Sequence, residues 1–446
     1  MAIEIKSYTK ENKGSSISVL PSCKELKNAK NNNFTGGEIM KKVLRLVIAS
    51  AMTVTLLAAT VAAADIESGV DNGLGMGTIG DAQAVIEERN EELANSPHFS
   101  DKYTVGSDAE YTPPEDYEWP EMTIVMNDYN VANSGPALCT QLAADYIEEV
   151  SGGKIKCECY YGGTLMESTD SFAGTVDGLA DITYYLYTLN SGVSVVHNLF
   201  TAYYVREMPS MLGMLDIINN TLDNVPEIRQ EFIDQGLYEL VSVPTSGSRF
   251  EFKDADLAAS IKTPDDLKGH IIQSSGYNTP AWANHGVSGM AMPPSEWYSN
   301  LDRGVVDALS MNLPGVRDFG LADVSNGYVS FGNSGGLYHS CGAYFANYEK
   351  WLSWPEEVQE LVRAAFRKGG RFNCERDEAA TEEFALEEQA AGKVINRIVE
   401  ADMQPWYDLG KESLELWKAD VEAMGLDAQA ILDGYLAQVD EYFETH

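Results

Sequence analysis

Two segments of the chain, Thr263–Gln273 (TPDDLKGHIIQ) and Gly289–Leu309 (GMAMPPSEWYSNLDRGVVDAL), decide its fold. In the first segment, a turn at Lys268-Gly269 leads into a short strand over His270–Ser274. In the second, a further short strand is predicted over Val305–Ser310, between two helices. Strands that alternate with helices in this way are typical of an α/β fold with a parallel sheet.

The same alternation occurs in the part of the chain that precedes these segments. The predicted order is strand Met122–Met126, helix Gly135–Val150, strand Lys154–Tyr160, a helix that ends near Gly178, and strand Asp181–Tyr185. The pattern repeats after residue 240, so we predict two similar α/β halves around a cleft. From residue 355 to the end the pattern is mainly helical, with charges on one face and apolar side chains on the other. The other predicted strands are Tyr238–Val243, Arg249–Lys253, Tyr328–Phe331 and Tyr344–Asn347.

The composition indicates a globular protein with an unusually acidic surface. The chain has 446 residues, 44% of them hydrophobic, and a formal net charge of −37. Because this charge repels phosphate backbones, the composition argues against a nucleic-acid partner. The length is sufficient for two or three domains.

The cysteines and histidines predict neither a disulfide framework nor a metal site. Five of the six cysteines lie beyond residue 64, and their number is odd and their spacing irregular. Cys157 and Cys159 share one face of a predicted strand, which places them poorly for bridging each other. The six histidines show no ligand spacing. We therefore expect no metal and no other cofactor, and we interpret the thiols as mostly buried small hydrophobes.

Residues 40–64 (MKKVLRLVIASAMTVTLLAATVAAA) have the pattern of a secretory signal peptide. Three basic residues precede an apolar stretch, and Ala62-Ala63-Ala64 fits a cleavage site before Asp65. The alternative, a membrane anchor, is disfavoured because the apolar stretch ends in small residues without a basic stop. Since a signal peptide begins a protein, we predict that residues 1–39 are an upstream leader and that translation starts at Met40. The mature protein is then expected to be periplasmic and not membrane-embedded.

Two glycine-rich segments match enzyme motifs in their residue spacing but not in the secondary structure that these motifs require. Gly75–Gly80 has the spacing of a dinucleotide fingerprint, but no strand precedes it, and we interpret it as a loop. Gly332–Gly336 (GNSGG) matches the elbow of serine hydrolases, but the residues that follow are predicted to be extended, whereas the elbow needs a helix. His339 is interpreted there as structural. We therefore predict that the protein is not an enzyme.

The two opening segments resemble the substrate-binding proteins of TRAP transporters, the DctP type. The resemblance covers about residues 121–446. It implies a two-lobed periplasmic binding protein fold, each lobe a sheet flanked by helices, with a long helix over residues 355–392 that crosses both lobes. The matching positions are Asp266, Leu267, Lys268, Gly269, Met292, Pro293, Glu296, Tyr298, Leu301, Gly304, Val306 and Asp307.

The resemblance also implies the position of a ligand site. Arg249, in the segment Ser246–Arg249, corresponds to an arginine that helps to hold the ligand's anion in the family, and its planar fork suits a carboxylate. Gln273 stands where the family has its main carboxylate-clamping arginine. The family's ligand-contacting asparagine corresponds to Met311, with Asn312 next to it. Two explanations stay open: the ligand is neutral, zwitterionic or weakly acidic, or Arg249 holds the anion alone.

Further side chains are predicted to line the cleft. Asp128 ends the first strand, and Tyr185 follows the third strand into the cleft, together with Tyr184 and Tyr187. Three further aromatic residues, Tyr277, Trp282 and Trp297, flank the motif of the second half. Core packing is the favoured interpretation for Trp297. The predicted ligand-binding set consists of Asp128, Tyr185, Arg249, Gln273, Tyr277, Trp282, Met311 and Asn312.

The predicted organisation leads to one function and two alternatives. We predict a leader (1–39), a signal peptide (40–64), an acidic extension (65–118), lobe I (119–246 and 338–375) and lobe II (247–337 and 376–446). The protein is expected to bind a small organic molecule, such as an organic acid, and to deliver it to the small and large membrane subunits of a TRAP permease. The alternatives are a ligand-sensing subunit of a membrane signalling system and a secreted hydrolase.

Overall fold

The computed structural model describes residues 111–130, 132, 134–189, 192–292 and 294–445. The predicted leader, the signal peptide and the extension up to residue 110 lie outside these residues. Among the described helices, none is long and apolar enough to cross a membrane. The predicted lobe boundaries remain predictions.

Ten strands and twelve α-helices make up the described part of the chain. The strands are β1 (Met122–Asp128), β2 (Ile155–Tyr161), β3 (Ile182–Leu186), β4 (Leu237–Phe252), β5 (Ile271–Gln273), β6 (Ser288–Met290), β7 (Ala308–Met311), β8 (Gly327–Phe331), β9 (Tyr338–Asn347) and β10 (Val394–Ile398). The helices are α1 (Gly135–Val150), α2 (Ser171–Val176), α3 (Met211–Asn224), α4 (Pro226–Ile233), α5 (Ala255–Ser260), α6 (Asn278–Ala281), α7 (Pro294–Arg303), α8 (Leu313–Asp318), α9 (Tyr348–Ser353), α10 (Glu356–Ala390), α11 (Gln404–Ala423) and α12 (Ala428–Thr445).

Strand β4 is 16 residues long and joins two halves of one sheet. Its residues Leu237–Ser248 pair with β9, which continues to β3, β1 and β2; we call these strands the first half. Its residues Arg249–Phe252 pair with β7 and β8, and these strands with β5, β6 and β10 form the second half. The predicted fold, α/β with a sheet flanked by helices in two parts, is confirmed.

The prediction of two separate strands over Tyr238–Val243 and Arg249–Lys253 was wrong, because β4 is continuous. Its pairing with β9 shifts register between Glu239 and Val241 and again between Pro244 and Gly247. Such bulges bend a strand and tolerate a proline, which cannot donate to the ladder. The polar, proline-containing middle of β4 therefore lacks the sequence pattern by which a strand is predicted.

The strand directions bring the carboxyl ends of both halves to the middle of β4. In the first half β1, β2 and β3 are parallel, and in the second half β5, β6 and β7 are parallel. Because β9 is antiparallel to both β3 and β4, and β4 is antiparallel to β7, the two parallel sets point toward each other. In open α/β sheets, ligands bind outside the carboxyl ends of the strands.

Helix α10 is the predicted long helix and contacts elements of both halves. It has 35 residues and packs against α1, α3, β4 and α8. A proline precedes it, and two glutamates occupy its first turn, where negative charge favours the helix dipole. The predicted helix from 355 to 392 is thereby confirmed.

The thiols and the GNSGG segment have the structures that the sequence predicts. All five cysteines of the described part are free, and Cys139, Cys341 and Cys374 are buried. After the turn Gly332–Gly336 the chain enters β9 and not a helix. The Ser334 hydroxyl donates to the carbonyl oxygen of Gly336 at 2.9 Å.

Candidate functional site

Arg249 lies where the two halves of the sheet meet and is almost completely buried. It pairs with Met311 across β4 and β7 and is 2% exposed. Its Nε donates to the carbonyl oxygen of Gly335 at 2.9 Å, and its guanidinium carbon lies 5.7 Å from the centre of the Tyr328 ring. Burial lowers the pKa of Arg249, yet a guanidinium stays protonated in proteins.

The guanidinium of Arg249 has unused binding capacity. Within the described residues, its Nη1 is buried without a hydrogen-bond partner. The carboxyl of Glu251 acts electrostatically on Arg249, but burial raises the pKa of Glu251 to about 8 and so favours its neutral form. A buried charge without a partner is unfavourable, so structures normally pair it. The buried guanidinium of Arg249 is therefore suited to binding an anionic ligand.

Gln273 ends β5 and contributes a second donor at the same edge. It is 5% exposed, and its Oε1 accepts from the backbone N–H of Ser310 at 3.1 Å. The Ser310 hydroxyl in turn donates to the Tyr338 oxygen at 3.2 Å. Because the amide oxygen of Gln273 is occupied, its NH₂ group remains for a ligand, and that group can only donate.

Met311 and Asn312 follow β7 at the same edge but have structural partners. Met311 is 7% exposed and belongs to the apolar cluster of the second half. The side-chain oxygen of Asn312 accepts from the backbone N–H of Gly315 at 2.8 Å and caps α8. An asparagine is a favoured cap because it satisfies one of the free N–H groups of the first turn.

Tyr185, Tyr277 and Trp282 are engaged with neighbours other than Arg249. Tyr185 packs edge-on against Phe172, and burial raises its pKa to about 12. Trp282 is fully buried in the largest apolar cluster, and its indole N–H donates to the Tyr203 oxygen at 3.0 Å.

Tyr277 lies nearer the surface than Trp282. Its hydroxyl donates to Asp420 at 2.8 Å, beside a pocket of about 270 Å³. The other rings of the prediction are also packed: Tyr184 against Tyr129 and Tyr344, Tyr187 against Phe232, and Trp297 against Phe319.

Comparison with known proteins assigns the family. Residues 135–420 match the family model described as bacterial extracellular solute-binding protein, family 7. The chain belongs to this family. The resemblance predicted from the opening segments is thereby confirmed, and with it the role of a solute-binding protein.

Solved TRAP solute-binding proteins share the fold of this family 7 protein at low sequence identity. One from Rhodoferax ferrireducens, in complex with copurified benzoate, has 18% identity and a TM-score of 0.62, over 72% of this chain and 99% of that one. One from Desulfovibrio salexigens with bound orotic acid has 17% identity and a TM-score of 0.60, over 72% and 99%. One from Pseudomonas putida with bound D-glucuronate has 19% identity and a TM-score of 0.56, over 69% and 96%.

Asp128 serves in this family 7 protein to fasten the turn after β1. It is fully buried, and its Oδ1 accepts from the backbone and side-chain N–H groups of Asn130 at 2.9 and 2.8 Å. Its Oδ2 accepts from the Thr140 hydroxyl at 3.0 Å. Burial is the largest effect on this carboxyl and raises its pKa to about 6, although these hydrogen bonds act in the opposite direction.

We expect Asp128→Asn to stabilise the protein at pH 8. The raised pKa means that folding favours the protonated carboxyl, so the wild type loses stability as pH rises from about 4 through about 6. Asparagine avoids this loss, keeps an acceptor for Asn130 and can donate to Thr140. Chemical denaturation is expected to show a gain of about 1–2 kcal/mol at pH 8, which shrinks below pH 5. An equal gain from the exposed Asp433→Asn would contradict this explanation.

Three functional candidates were missed by the sequence analysis or interpreted differently. The side chains of Tyr204, Ser246 and His339 are buried, and their polar atoms have no hydrogen-bond partner within the described chain. Ser246 belongs to the segment that contains Arg249, and His339 was interpreted as structural. Tyr204 carried no signal in the sequence, because only the tertiary structure shows that its hydroxyl is unpartnered.

Proposed function

We propose that this protein binds a small organic anion where the two halves of the sheet meet, with Arg249 as the cation. The observation that carries the proposal is the buried Nη1 of Arg249, which has no hydrogen-bond partner within the described residues. The buried carboxyl of Glu251 acts electrostatically on Arg249, but burial raises the pKa of Glu251 to about 8, which favours its neutral form. An anionic ligand would supply both a hydrogen-bond acceptor and a full negative charge. Of the two explanations that the sequence left open, this observation favours the one in which Arg249 holds the anion alone.

Gln273 supports a carboxylate as the anionic group. The NH₂ group of Gln273 on β5 is a neutral donor. Arg249 supplies further donors and a positive charge from β4, and β7 lies between these two strands. A carboxylate has two acceptor oxygens, so it can accept from a guanidinium and an amide together. The guanidinium of Arg249 neutralises one carboxylate, and its planar fork can donate to both oxygens of that group. The bound benzoate, orotic acid and D-glucuronate of the similar structures are also organic acids.

The physiological role that we propose is capture of this ligand for uptake. The protein is exported to the periplasm after cleavage near Ala64, and ligand binding favours a state in which the two halves close about the bent middle of β4. A TRAP permease, with its small and large membrane subunits, recognises that state and takes up the ligand. Family membership supports this role.

We expect carboxylic acids, rather than neutral or cationic compounds, to stabilise the mature protein. At a concentration 100 times its dissociation constant, a ligand adds about 2.7 kcal/mol to the free energy of unfolding. A thermal-shift screen of carboxylates, polyols, amines and zwitterions at equal concentration measures this, after unfolding and refolding to remove copurified ligand. Native mass spectrometry of the protein as purified gives the mass of any bound compound. Stabilisation by polyols or amines alone would refute the proposal.

A further inference from the structure

Two neutral polar side chains lie buried near Arg249 with unused hydrogen-bonding capacity. They are Tyr204 and His339, which are 5% and 0% exposed. The Tyr204 hydroxyl and both ring nitrogens of His339 have no partner within the described residues. We call these two side chains the neutral cluster. Buried polar atoms normally find a partner, so three such atoms in one region indicate that they bind a further molecule.

The strand pairing places the neutral cluster beside Arg249. His339 lies directly opposite Gly247 on β4, and the ring centres of His339 and Tyr204 are 5.6 Å apart. Gly247 is two residues from Arg249, on the same face of the strand, whereas Ser246, directly before Gly247, points to the opposite face. Diagonal neighbours on paired strands have Cα atoms roughly 7–8 Å apart. A small molecule can therefore reach both Arg249 and His339.

The neutral cluster cannot supply charge to a ligand. Burial lowers the pKa of His339 to about 3, so its imidazole is neutral at physiological pH. A neutral imidazole offers one donor and one acceptor, and the Tyr204 hydroxyl offers both. Such a set matches a group that also donates and accepts, or a carbonyl, whereas a carboxylate would be buried there without a cation.

We propose that Tyr204 and His339 form a subsite that binds a hydroxyl or carbonyl group of the ligand, while Arg249 binds the ligand's carboxylate. This assignment rests on the proposed function and narrows its ligand class to monocarboxylates that carry such a group a few bonds from the acid. It disfavours dicarboxylates of similar length, because their second carboxylate would lie against the neutral cluster, which carries no positive charge.

The competing explanation is that ordered water fills the cluster. Water could satisfy these atoms, as it does in many protein interiors. The two explanations differ in one measurable respect: only a ligand subsite makes affinity depend on the hydroxyl or carbonyl group of the acid.

The test compares acids that differ in one group. Isothermal titration calorimetry is run on the mature protein with butanoate and 4-hydroxybutanoate, benzoate and 3-hydroxybenzoate, and pentanoate, 4-oxopentanoate and glutarate. In the wild type we expect the substituted acid of at least one pair to bind about tenfold tighter than its parent. Glutarate is expected to bind no better than pentanoate.

The variant Tyr204→Phe removes one hydroxyl and keeps the ring. We expect it to reduce the ratio of the two dissociation constants toward one and to leave the unsubstituted acid unaffected. Tyr146→Phe is the matched control, because its hydroxyl on α1 donates to the carbonyl oxygen of Tyr111 at 3.3 Å, and it is expected to keep the wild-type ratio. His339→Gln retains a donor and an acceptor and serves as a second variant, with a reduced ratio expected.

The possible failures are distinguishable. Binding of the acids with ratios near one in every pair, or a ratio that Tyr204→Phe and His339→Gln leave unchanged, would overturn the neutral subsite and leave the anion site standing. Glutarate binding as tightly as the substituted acids would do the same. If no acid in the panel binds, the proposed function fails, and the subsite fails with it.

Discussion

Replacing Arg249 with methionine is expected to weaken binding of a carboxylate ligand at least about 100-fold and to stabilise the empty protein. Removing one partner of a buried, hydrogen-bonded charge pair commonly costs 2–5 kcal/mol of binding free energy. The empty protein, by contrast, holds a guanidinium whose Nη1 has no partner within the described residues. Replacement of buried charged groups by apolar ones of similar volume is often stabilising.

The measurement has two parts, and the two effects are expected to have opposite signs. Calorimetry with the best acid from the thermal-shift screen gives the loss of affinity. Urea denaturation without ligand is expected to show a gain of about 1 kcal/mol in the free energy of unfolding. The control is Arg371→Met on α10, whose guanidinium is exposed and pairs with Glu375. Unchanged affinity in Arg249→Met would refute Arg249 as the ligand's cation.

The positions of Arg249 and Gln273 follow from the sequence, but their bonding does not. The pattern predicts a strand over His270–Ser274, which contains Gln273, and the carboxyl ends of parallel strands meet at one edge. Whether the Gln273 oxygen is free depends on the backbone of Ser310, which lies on the adjacent strand β7. A contact of this kind depends on register, which no local pattern encodes.

The helices were predicted more closely than the long strand. The bounds of α1 match the prediction, because Ser134 and Pro136 mark its start and Ser151 and Gly152 its end. Strand β4 was divided because its bulges interrupt the local alternation, and it forms only through pairing with β9 and β7. Local signals of capping are readable in a sequence, whereas long-range pairing is not.

A buried charge network around His197 could not be predicted from any local pattern in the sequence. His197 is fully buried between two carboxylates: its Nδ1 lies 2.6 Å from Glu231 and its Nε2 2.8 Å from Glu239. The Tyr187 hydroxyl donates to Glu239 at 2.5 Å. The network connects a short helical turn, α4 and β4, and its partners are more than 30 residues apart in the chain.

We expect His197→Leu to destabilise the protein by about 3–5 kcal/mol at pH 6, because it leaves Glu231 and Glu239 buried without a cation. The matched control is His285→Leu. His285 also lies between two carboxylates, Asp265 at 2.7 Å and Glu412 at 3.5 Å, but both of these are solvent-exposed. Surface pairs are worth about 1 kcal/mol or less. Denaturation at pH 6 is expected to separate the two variants clearly, and equal effects would contradict the network's importance.

The destabilisation by His197→Leu is expected to shrink at alkaline pH. Burial disfavours the imidazolium, but the charge of Glu239 and hydrogen bonds to both carboxylates raise the pKa of His197 to about 9. The stabilisation that His197 provides is therefore fully present below its unfolded-state pKa of about 6.5, and it is lost as pH rises through about 9. Burial acts to raise the pKa of Glu239, but the charge of His197 lowers this pKa overall. The stabilisation that Glu239 provides is therefore fully present above its unfolded-state pKa of about 4.5 and is lost in acid.

The network therefore stabilises the fold most between about pH 4.5 and 6.5. The difference in unfolding free energy between wild type and His197→Leu, measured from pH 5 to 10, isolates this contribution from that of Asp128, which both proteins share. A difference that stays constant up to pH 10 would mean that His197 acts through packing and not through its charge.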